Sequence, residues 1–272
     1  MVRRTSPAGF PLPDEVTYST SPLTLALCQV SFPPILGIAR PEIIGSIQAE
    51  LAVAYPQVSI EQAQSLQLNV TPEQMQAGFG QTSTMWRFSD RRDEWSVVIG
   101  TDFLTLETRG YRHYEDFEQR LVKAVEVFGK IAQPGLVARI GLRYVNEIRS
   151  DLNWNQIVHT RLLGAIDEPI IRSRVTQSFQ QITLVGDDMT NIVISHGAFA
   201  GGSAVAPQRG TEPPTTPFYL LDIDVGRNFA PSNDAPTLED IVEHVDYFHM
   251  SIWSIFRWAV SSLYLDSLGG NK

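Results

Sequence analysis

The same order of predicted elements occurs twice along this chain of 272 residues. An extended apolar run, a short helix, several strands and a long amphipathic helix fill residues 23–132, and a similar series returns at 137–264. Two copies of one unit usually pack around a pseudo-two-fold axis and share a sheet or a core. The duplication therefore constrains the architecture more than any single motif does, although it does not identify a reaction.

The first copy opens with a strand from Leu23 to Phe32, which Pro33 and Pro34 end. A helix is predicted from Pro41 to about residue 55, because proline suits the first helical position and apolar residues follow at helical spacing. The remaining predicted elements are strands at about 62–70, 82–90, 94–100 and 103–109 and an amphipathic helix at 114–132.

The second copy is predicted to contain a strand at about 137–149, a helix near 153–165, strands at 172–186, 189–198 and 218–226, and a last helix from about 237. Each long helix has one apolar face that must be covered. The sequence therefore predicts an α+β fold, a duplicated β-α-β(3-4)-α repeat whose curved antiparallel sheet carries the long helices on one face. This element order resembles the TATA-box-binding-protein repeat or a helix-grip arrangement, and the likeness implies no function.

The duplication divides the chain into a first repeat at 23–135 and a second repeat at 136–266, followed by a tail at 267–272. Residues 1–22 are rich in proline and small polar residues, which predicts a flexible amino-terminal arm. Residues 200–217 are predicted to form a mobile surface loop, because glycine, proline and small residues cannot build a core of their own.

Composition restricts the classes of partner. The net charge of −9 argues against a general nucleic-acid binder, whose affinity comes largely from cationic side chains on phosphates. The single cysteine, Cys28, lies in an apolar run and is interpreted as a small buried side chain, so no intrachain disulfide is expected. We expect no membrane association and a cytoplasmic location, since we find neither a long apolar run nor a signal-peptide pattern.

The strand at 139–149, RIGLRYVNEIR, has the sharpest pattern in the chain. Alternation places Arg139, Arg143, Glu147 and Arg149 on one face and apolar residues on the other. If the apolar face meets the helices, the arginines line the open face of the sheet and can bind a carboxylate, a phosphate or an acidic partner segment. The alternative is a solvated face in which Arg143 pairs with Glu147.

Asp222 and Asp224 lie two residues apart on a predicted strand, so their carboxylates share a face. Paired aspartates of this kind hold Mg²⁺ in some phosphate-processing enzymes, which makes these two residues the alternative metal ligands. That chemistry also needs a third carboxylate and a phosphate-binding loop, and no glycine-rich phosphate motif occurs. The alternative is a polar strand face that balances Arg139 or Arg143.

No other constellation indicates catalysis. The five histidines do not cluster at ligand spacing, and neither a catalytic triad nor a zinc motif can be built from residue spacing. No cofactor is expected. The last helix carries apolar residues on more than one face, and its end contains Trp253, Phe256 and Trp258. These three residues are candidates for a dimer or partner interface, and burial within the chain is the alternative.

Two segments, CQVSFPPI at 28–35 and RIGLRYVN at 139–146, carry a family resemblance. With them the chain resembles a sporadically distributed bacterial family of unassigned function, over about residues 22–264. The resemblance implies scattered, mobile inheritance, as in defence or toxin-linked genes, and it implies no activity. The terminal tryptophans and the segment at 200–217 are less typical of this family.

The leading hypothesis is therefore a non-catalytic binding or assembly protein with a protein partner, an accessory component of a bacterial defence or toxin-linked system. In it, Arg139, Arg143 and Glu147 recognise an acidic ligand or partner. The competing hypotheses are a metal-dependent phosphate-processing enzyme that uses Asp222 and Asp224, and a structural homodimer formed through the helix at 248–264.

Overall fold

The computed structural model describes residues 6, 9–11, 17–70, 75–150, 152–186, 189–202, 204, 212–230 and 236–271. For residues 63–70, 75–82, 238–239 and 270–271 it describes the backbone alone. The segments predicted to be a flexible arm (1–22) and a mobile loop (200–217) lie partly outside the described residues, so their predicted mobility stays a prediction.

The described residues form eleven strands and seven α-helices. The strands are β1 (Thr17–Tyr18), β2 (Leu23–Ser31), β3 (Gln57–Val70), β4 (Met75–Ser89), β5 (Trp95–Ile99), β6 (Phe103–Thr108), β7 (Arg139–Ile148), β8 (Gln180–Val185), β9 (Asn191–Phe199), β10 (Phe218–Asn228) and β11 (Gly270–Asn271). The helices are α1 (Pro41–Leu51), α2 (Tyr114–Ala132), α3 (Trp154–Ile157), α4 (Thr160–Leu163), α5 (Pro169–Arg172), α6 (Leu238–Ala259) and α7 (Ser262–Ser267), and two 3₁₀ turns cover Leu36–Ala39 and Gly164–Asp167.

Nine of these strands form one antiparallel sheet in the order β3-β4-β5-β6-β2-β7-β10-β9-β8. The two central neighbours, β2 and β7, are the strands that open the two predicted copies, and Cys28 lies opposite Leu142 in their register. β6 flanks β2 on one side, and β10 flanks β7 on the other. The predicted α+β class is confirmed.

Both long helices pack on one face of this sheet, because each presents an apolar stripe that the sheet removes from water. α2 contacts β6, and α6 contacts β7 and β10. α2 buries Phe117, Leu121 and Phe128 in the same core as the inward-facing residues of the strands. Cys28 is part of this core, and burial raises the pKa of its thiol to about 12.

The ends of the long helices follow from local sequence. α6 begins with a capping box, in which the Thr237 hydroxyl accepts from the Asp240 backbone N–H and the Asp240 carboxylate accepts from the Thr237 N–H. α2 begins at Tyr114 with Glu115 and Asp116 in its first turn, where carboxylates favour the positive end of the helix. Its bounds agree with the helix that periodicity predicts.

The segment between β7 and β9 differs from the prediction. The helix expected near 153–165 is divided into α3, α4 and a 3₁₀ turn, and β8 begins only at Gln180, after α5. Tertiary contacts explain the break. Val158, between α3 and α4, forms a backbone bridge with Val260 after α6, and Ile157 and Leu163 are fully buried. Among the helices formed by described residues, none combines the length with the apolarity that crossing a bilayer requires.

Candidate functional site

One face of the nine-stranded sheet carries the helices, and we call the other the open face. The buried side chains of the helices belong to a single core cluster with one set of alternating strand residues. A second, smaller cluster contains only strand residues of the opposite face: Val145, Phe218 and Leu220, with Leu25 and Phe199 packed against them. Within the described residues, no helix contributes a side chain to this second cluster, and Val145, Phe218 and Leu220 are nonetheless buried.

Alternation along β7 places Arg139, Arg143 and Glu147 on the open face. In the register with β10, Arg143 lies opposite Asp224, and Val145 lies opposite Asp222. Directly opposed residues of an antiparallel pair share one face, so the two aspartates share the open face with the arginines. The register thus places the aspartates beside the arginines, as the polar-face alternative for Asp222 and Asp224 predicted.

Each arginine of this group pairs diagonally across the two strands. Arg143 donates from Nε to Asp222 Oδ1 at 2.8 Å and from Nη2 to Asp222 Oδ2 at 2.6 Å, a bidentate contact. Arg139 donates from Nη2 to Asp224 Oδ1 at 3.1 Å. The guanidinium groups stay partly accessible, because the Arg139 and Arg143 side chains are 34% and 38% exposed. We call these four residues the Arg–Asp cluster.

Two facing glycines make room for one of these guanidinium groups. Gly141 lies opposite Gly226 in the register of β7 and β10. A Cβ added at Gly226 would lie 2.7 Å from Arg139 Nη2, and one added at Gly141 would also contact this guanidinium. Arg139 therefore extends over the two glycines and reaches Asp224. A side chain at position 141 or 226 would force the guanidinium to move.

Burial and neighbouring groups shift the pKa values of two residues of this cluster, Arg143 and Asp224. Hydrogen bonding to Asp222 raises the pKa of Arg143, so the guanidinium stays protonated. Asp222 itself is only 7% exposed, and its carboxylate oxygens both accept from Arg143. Burial raises the pKa of Asp224 above the ordinary aspartate range, although Arg139 and Arg143 act in the opposite direction. Each arginine is matched by one aspartate, so the cluster has no net charge when all four residues are ionised.

A second arginine group lies on the open face in the first half of the chain. Arg87 of β4 pairs with Glu61 of β3 at 2.7 Å and, across β5, with Glu107 of β6. Arg109 approaches the same Glu107 at 3.7 Å. Sequence motifs alone did not reveal this group. The alternation of β4 and β6 is visible in the sequence, and the short polar turns at 89–94 and 101–102 are the signal that could have placed the two strands one strand apart.

Glu147 and Arg149 are separate from the Arg–Asp cluster. Arg149 donates to Glu147 Oε2 at 2.8 Å and to the Thr216 carbonyl, and its guanidinium stacks 4.5 Å from the Phe218 ring. The two residues line a polar cleft of about 330 Å³ with residues 20–22 and 264–268. The alternative pairing of Arg143 with Glu147 is therefore wrong, because Asp222 lies closer across the strands than Glu147 does along the strand.

The aromatic residues of the last helix, predicted as an interface, are partly covered by their own chain. Phe10 packs against Trp258 with ring centroids 5.2 Å apart, and Tyr18 packs against Trp253 at 5.8 Å. Phe256 is only 6% exposed, whereas Trp253 and Trp258 stay partly exposed. The role of Trp253, Phe256 and Trp258 as an interface therefore stays a prediction.

The helix-covered face contains a buried polar network that sequence spacing did not reveal. The Tyr144 hydroxyl donates to the Tyr111 hydroxyl at 3.1 Å and lies 3.0 Å from His249 Nδ1. Tyr114 stacks on His249 at 3.9 Å and donates to Asp246 at 2.5 Å. Burial lowers the pKa of His249 to about 4, so the imidazole is neutral at pH 7. The network joins β7 to α2 and α6.

The two aspartates are held by arginines rather than arranged as a metal site. Within the described part of the chain, no group of three or more His, Cys, Asp and Glu side chains could hold a metal ion. A metal at Asp222 would compete with the Arg143 guanidinium, which donates to both carboxylate oxygens. Comparison of the chain with models of known protein families and with curated protein sequences gives no match.

Proposed function

We propose that this chain is a non-catalytic binding protein that recruits a protein partner through the open face of its sheet. Arg139 and Arg143 bind carboxylates of the partner. One observation carries this proposal: two guanidinium groups are fixed by aspartates on the sheet face opposite the long helices, and both remain about one-third exposed.

The aspartates leave donors for a partner. A guanidinium carries five N–H donors, and Arg143 uses two of them on Asp222. Arg139 donates to Asp224 from one nitrogen. Because the aspartates already fix both side chains, a partner carboxylate would meet donors whose rotamer entropy is largely lost before binding. Glu147, which the sequence grouped with these arginines, lies in the cleft near Arg149 and is not part of the proposed contact.

The charge balance favours a protein over a nucleic acid. The cluster pairs two arginines with two aspartates, and the chain as a whole carries a net charge of −9. Long-range attraction to a phosphate backbone is therefore weak. Directional hydrogen bonds to a few carboxylates do not depend on such a field. In keeping with the family resemblance, we extend the proposal to an accessory component of a bacterial defence or toxin-linked system.

We also propose that residues 23–135 and 136–266 derive from one duplicated unit with the strand order of the TATA-box-binding-protein repeat or of a helix-grip arrangement. The strand order supports this. Each half starts with a central strand, places its last strand beside that one, and adds its other strands outwards. Each half also ends in a long helix. Superposition of β2, β6 and α2 on β7, β10 and α6 tests it, and unmatched helix directions would contradict it.

The competing function, a metal-dependent phosphate-processing enzyme, gains no support from the Arg–Asp cluster. Asp222 and Asp224 each accept from an arginine. Calorimetric titration with Mg²⁺ separates the two functions. A binding heat that disappears in Asp222→Asn would favour the enzyme and count against the binding protein.

The Arg143→Glu variant tests the proposed function in the full-length protein. We expect capture of the partner by cross-linking and co-purification from the native host to fall at least about tenfold, since a charge-assisted contact is replaced by repulsion. Arg143→Gln removes the charge without adding a carboxylate, so it is a milder variant if Arg143→Glu fails to fold. It should reduce capture of the partner by a smaller factor. The matched control is Arg161→Glu, an equal charge change at an exposed position of α4. Equal recovery with wild type and both Arg143 variants would contradict the proposal.

A further inference from the structure

The outer edge of β8 is the least protected part of the sheet. β8 is the last strand of the order, and no other strand pairs with its outer side within the described residues. An edge strand presents a row of backbone N–H and C=O groups that can pair with another strand. This edge is independent of the Arg–Asp cluster and of the function proposed for it.

The backbone groups that face outwards can be assigned from the hydrogen bonds at both ends of β8. The Ser178 N–H donates to the Ala198 carbonyl at 2.8 Å, and the Gly186 N–H donates to the Thr190 carbonyl at 2.8 Å. Successive residues of a strand point their N–H and C=O groups to opposite sides. Even-numbered residues therefore pair with β9, and Gln181, Thr183 and Val185 direct theirs outwards.

The side chains do not protect this edge in the ways that proteins usually use. Residues 175–186 contain no charged residue and no proline. Phe179 is 53% exposed, Ile182 39% and Val185 66%. The opposite edge strand, β3, differs because it carries Glu61, paired with Arg87, and an irregular register between Gln64 and Leu66. Charges and bulges of that kind hinder edge-to-edge pairing.

We propose that β8 pairs antiparallel with β8 of a second copy of this chain, around a two-fold axis at Thr183. This register overlaps the whole strand. It places Thr183 opposite Thr183 of the second copy, and both present outward-facing N–H and C=O groups. Gln181 then lies opposite Val185, and Ile182 lies opposite Leu184 on the helix-covered side. Cross-strand threonine pairs and pairs of aliphatic side chains are favourable.

The charge distribution favours a second copy as the occupant. Two chains that each carry −9 repel one another over most of their surfaces. The neutral stretch at 175–186 allows the closest approach at the lowest electrostatic cost. A charged peptide gains nothing from a neutral edge, whereas the β8 sequence complements itself in the Thr183 register. Closed two-fold pairing occupies the outer edge of β8 in both copies, so pairing through this edge forms a dimer and not a fibre.

The mass in solution tests this proposal on the full-length protein. We expect wild type to show twice the mass of one 30.3 kDa chain in light scattering, with the single-chain mass appearing on dilution. Thr183→Lys and Thr183→Glu each place like charges face to face at the axis, so each should raise the dimer dissociation constant at least about tenfold. An equimolar mixture of the two variants should recover the double mass, because lysine then faces glutamate.

Two further variants keep the result interpretable. Thr183→Pro removes an outward N–H and leaves the bonds to β9 in place, so it should give a folded single chain, as judged by its thermal unfolding. Gln57→Lys introduces the same charge on the opposite edge strand and should keep the double mass. A wild-type protein with the single-chain mass at all concentrations would overturn the proposal. So would a Thr183→Lys protein that dimerises as tightly as wild type.

Discussion

The two faces of β7 show how one strand serves two environments. Ile140 and Leu142 are fully buried under the helices, whereas their neighbours Arg139 and Arg143 lie on the open face with about one-third of each side chain exposed. The contrast comes from the two-residue period of a strand, which sends alternate side chains to opposite sides. Adjacent residues of this strand therefore contribute to different properties: one set builds the core, and the other forms ion pairs on a partly accessible surface.

Polar groups are also treated differently on the two faces. On the helix-covered face, the tyrosine–histidine network of Tyr144 and His249 is uncharged at pH 7 and hydrogen-bonded. On the open face, the Arg143 side chain is 38% exposed and donates two hydrogen bonds to the buried Asp222 carboxylate. Burying an unpaired charged group costs far more than burying a neutral hydrogen-bonded pair, so the buried carboxylate depends on the arginine beside it.

The largest expected effect is a core cavity on the helix-covered face. Leu142→Ala should lower the free energy of unfolding by roughly 2–5 kcal/mol, because the lost side chain leaves a void in a well-packed core. Arg143→Ala, one residue along, should cost less, about 1–3 kcal/mol, since the arginine is partly solvated but the buried Asp222 carboxylate loses its partner. Urea unfolding of both variants measures the difference. A smaller loss of unfolding free energy in Leu142→Ala than in Arg143→Ala would contradict the difference between the two faces.

The second effect is a pH dependence that arises on the helix-covered face. Burial lowers the pKa of His249 from 6.5 to about 4, so the unfolded chain binds a proton more tightly than the folded one. Stability should therefore be fully present above pH 6.5 and fall by about 3 kcal/mol as the pH approaches 4. His249→Asn, which keeps a polar group near the Tyr144 hydroxyl, should remove this part of the slope.

Urea unfolding at several pH values between 4 and 7 would show the His249 effect. Tyr111, Tyr114, Tyr144, Asp246 and Glu115 surround the imidazole or act on it, and they are unchanged in the variant. His113→Asn is the control, because His113 is exposed in the loop before α2. If the unfolding free energy of His249→Asn depends on pH as steeply as that of wild type, the network does not dominate stability in acid.

The smallest effect concerns two glycines of the open face. A Cβ at Gly197 would meet the Ser178 carbonyl oxygen of the neighbouring backbone, whereas a Cβ at Gly141 would meet only the mobile end of Arg139. We expect Gly197→Ala to cost roughly 1–3 kcal/mol, and Gly141→Ala to cost less, because the guanidinium can move aside. Thermal unfolding ranks the two variants. Equal losses would mean that Arg139 is held more rigidly than its single pair with Asp224 indicates.

Local periodicity predicted several elements well. The spacing of Phe117, Leu121 and Phe128 predicted α2 with its observed bounds, and alternation placed Arg139 and Arg143 on a common face. It failed for the segment at 153–165, because the bridge between Val158 and Val260 interrupts a helix that local spacing would continue. It left two partners open for Arg143, and it did not distinguish Glu147 on the same strand from Asp222, which lies 79 residues further along the chain and forms the ion pair.

The aromatic end of α6 shows a further limit. The sequence shows more apolar surface than one helix face needs, and the structure covers part of it with Phe10 and Tyr18 from the far end of the chain. No local pattern links residues separated by more than two hundred positions. An excess of apolar surface can therefore be predicted, but its occupant cannot.

By itself, the sequence determined the α+β class, the position of the long helices, and which residues of β7 share a face. These properties depend on side-chain periods of two or 3.6 residues, which are local. Only the tertiary structure decided the strand order, which of the two aspartates pairs with Arg139 and which with Arg143, and the unprotected edge at β8. Those depend on which strands become neighbours, and the packing of the whole core sets that choice.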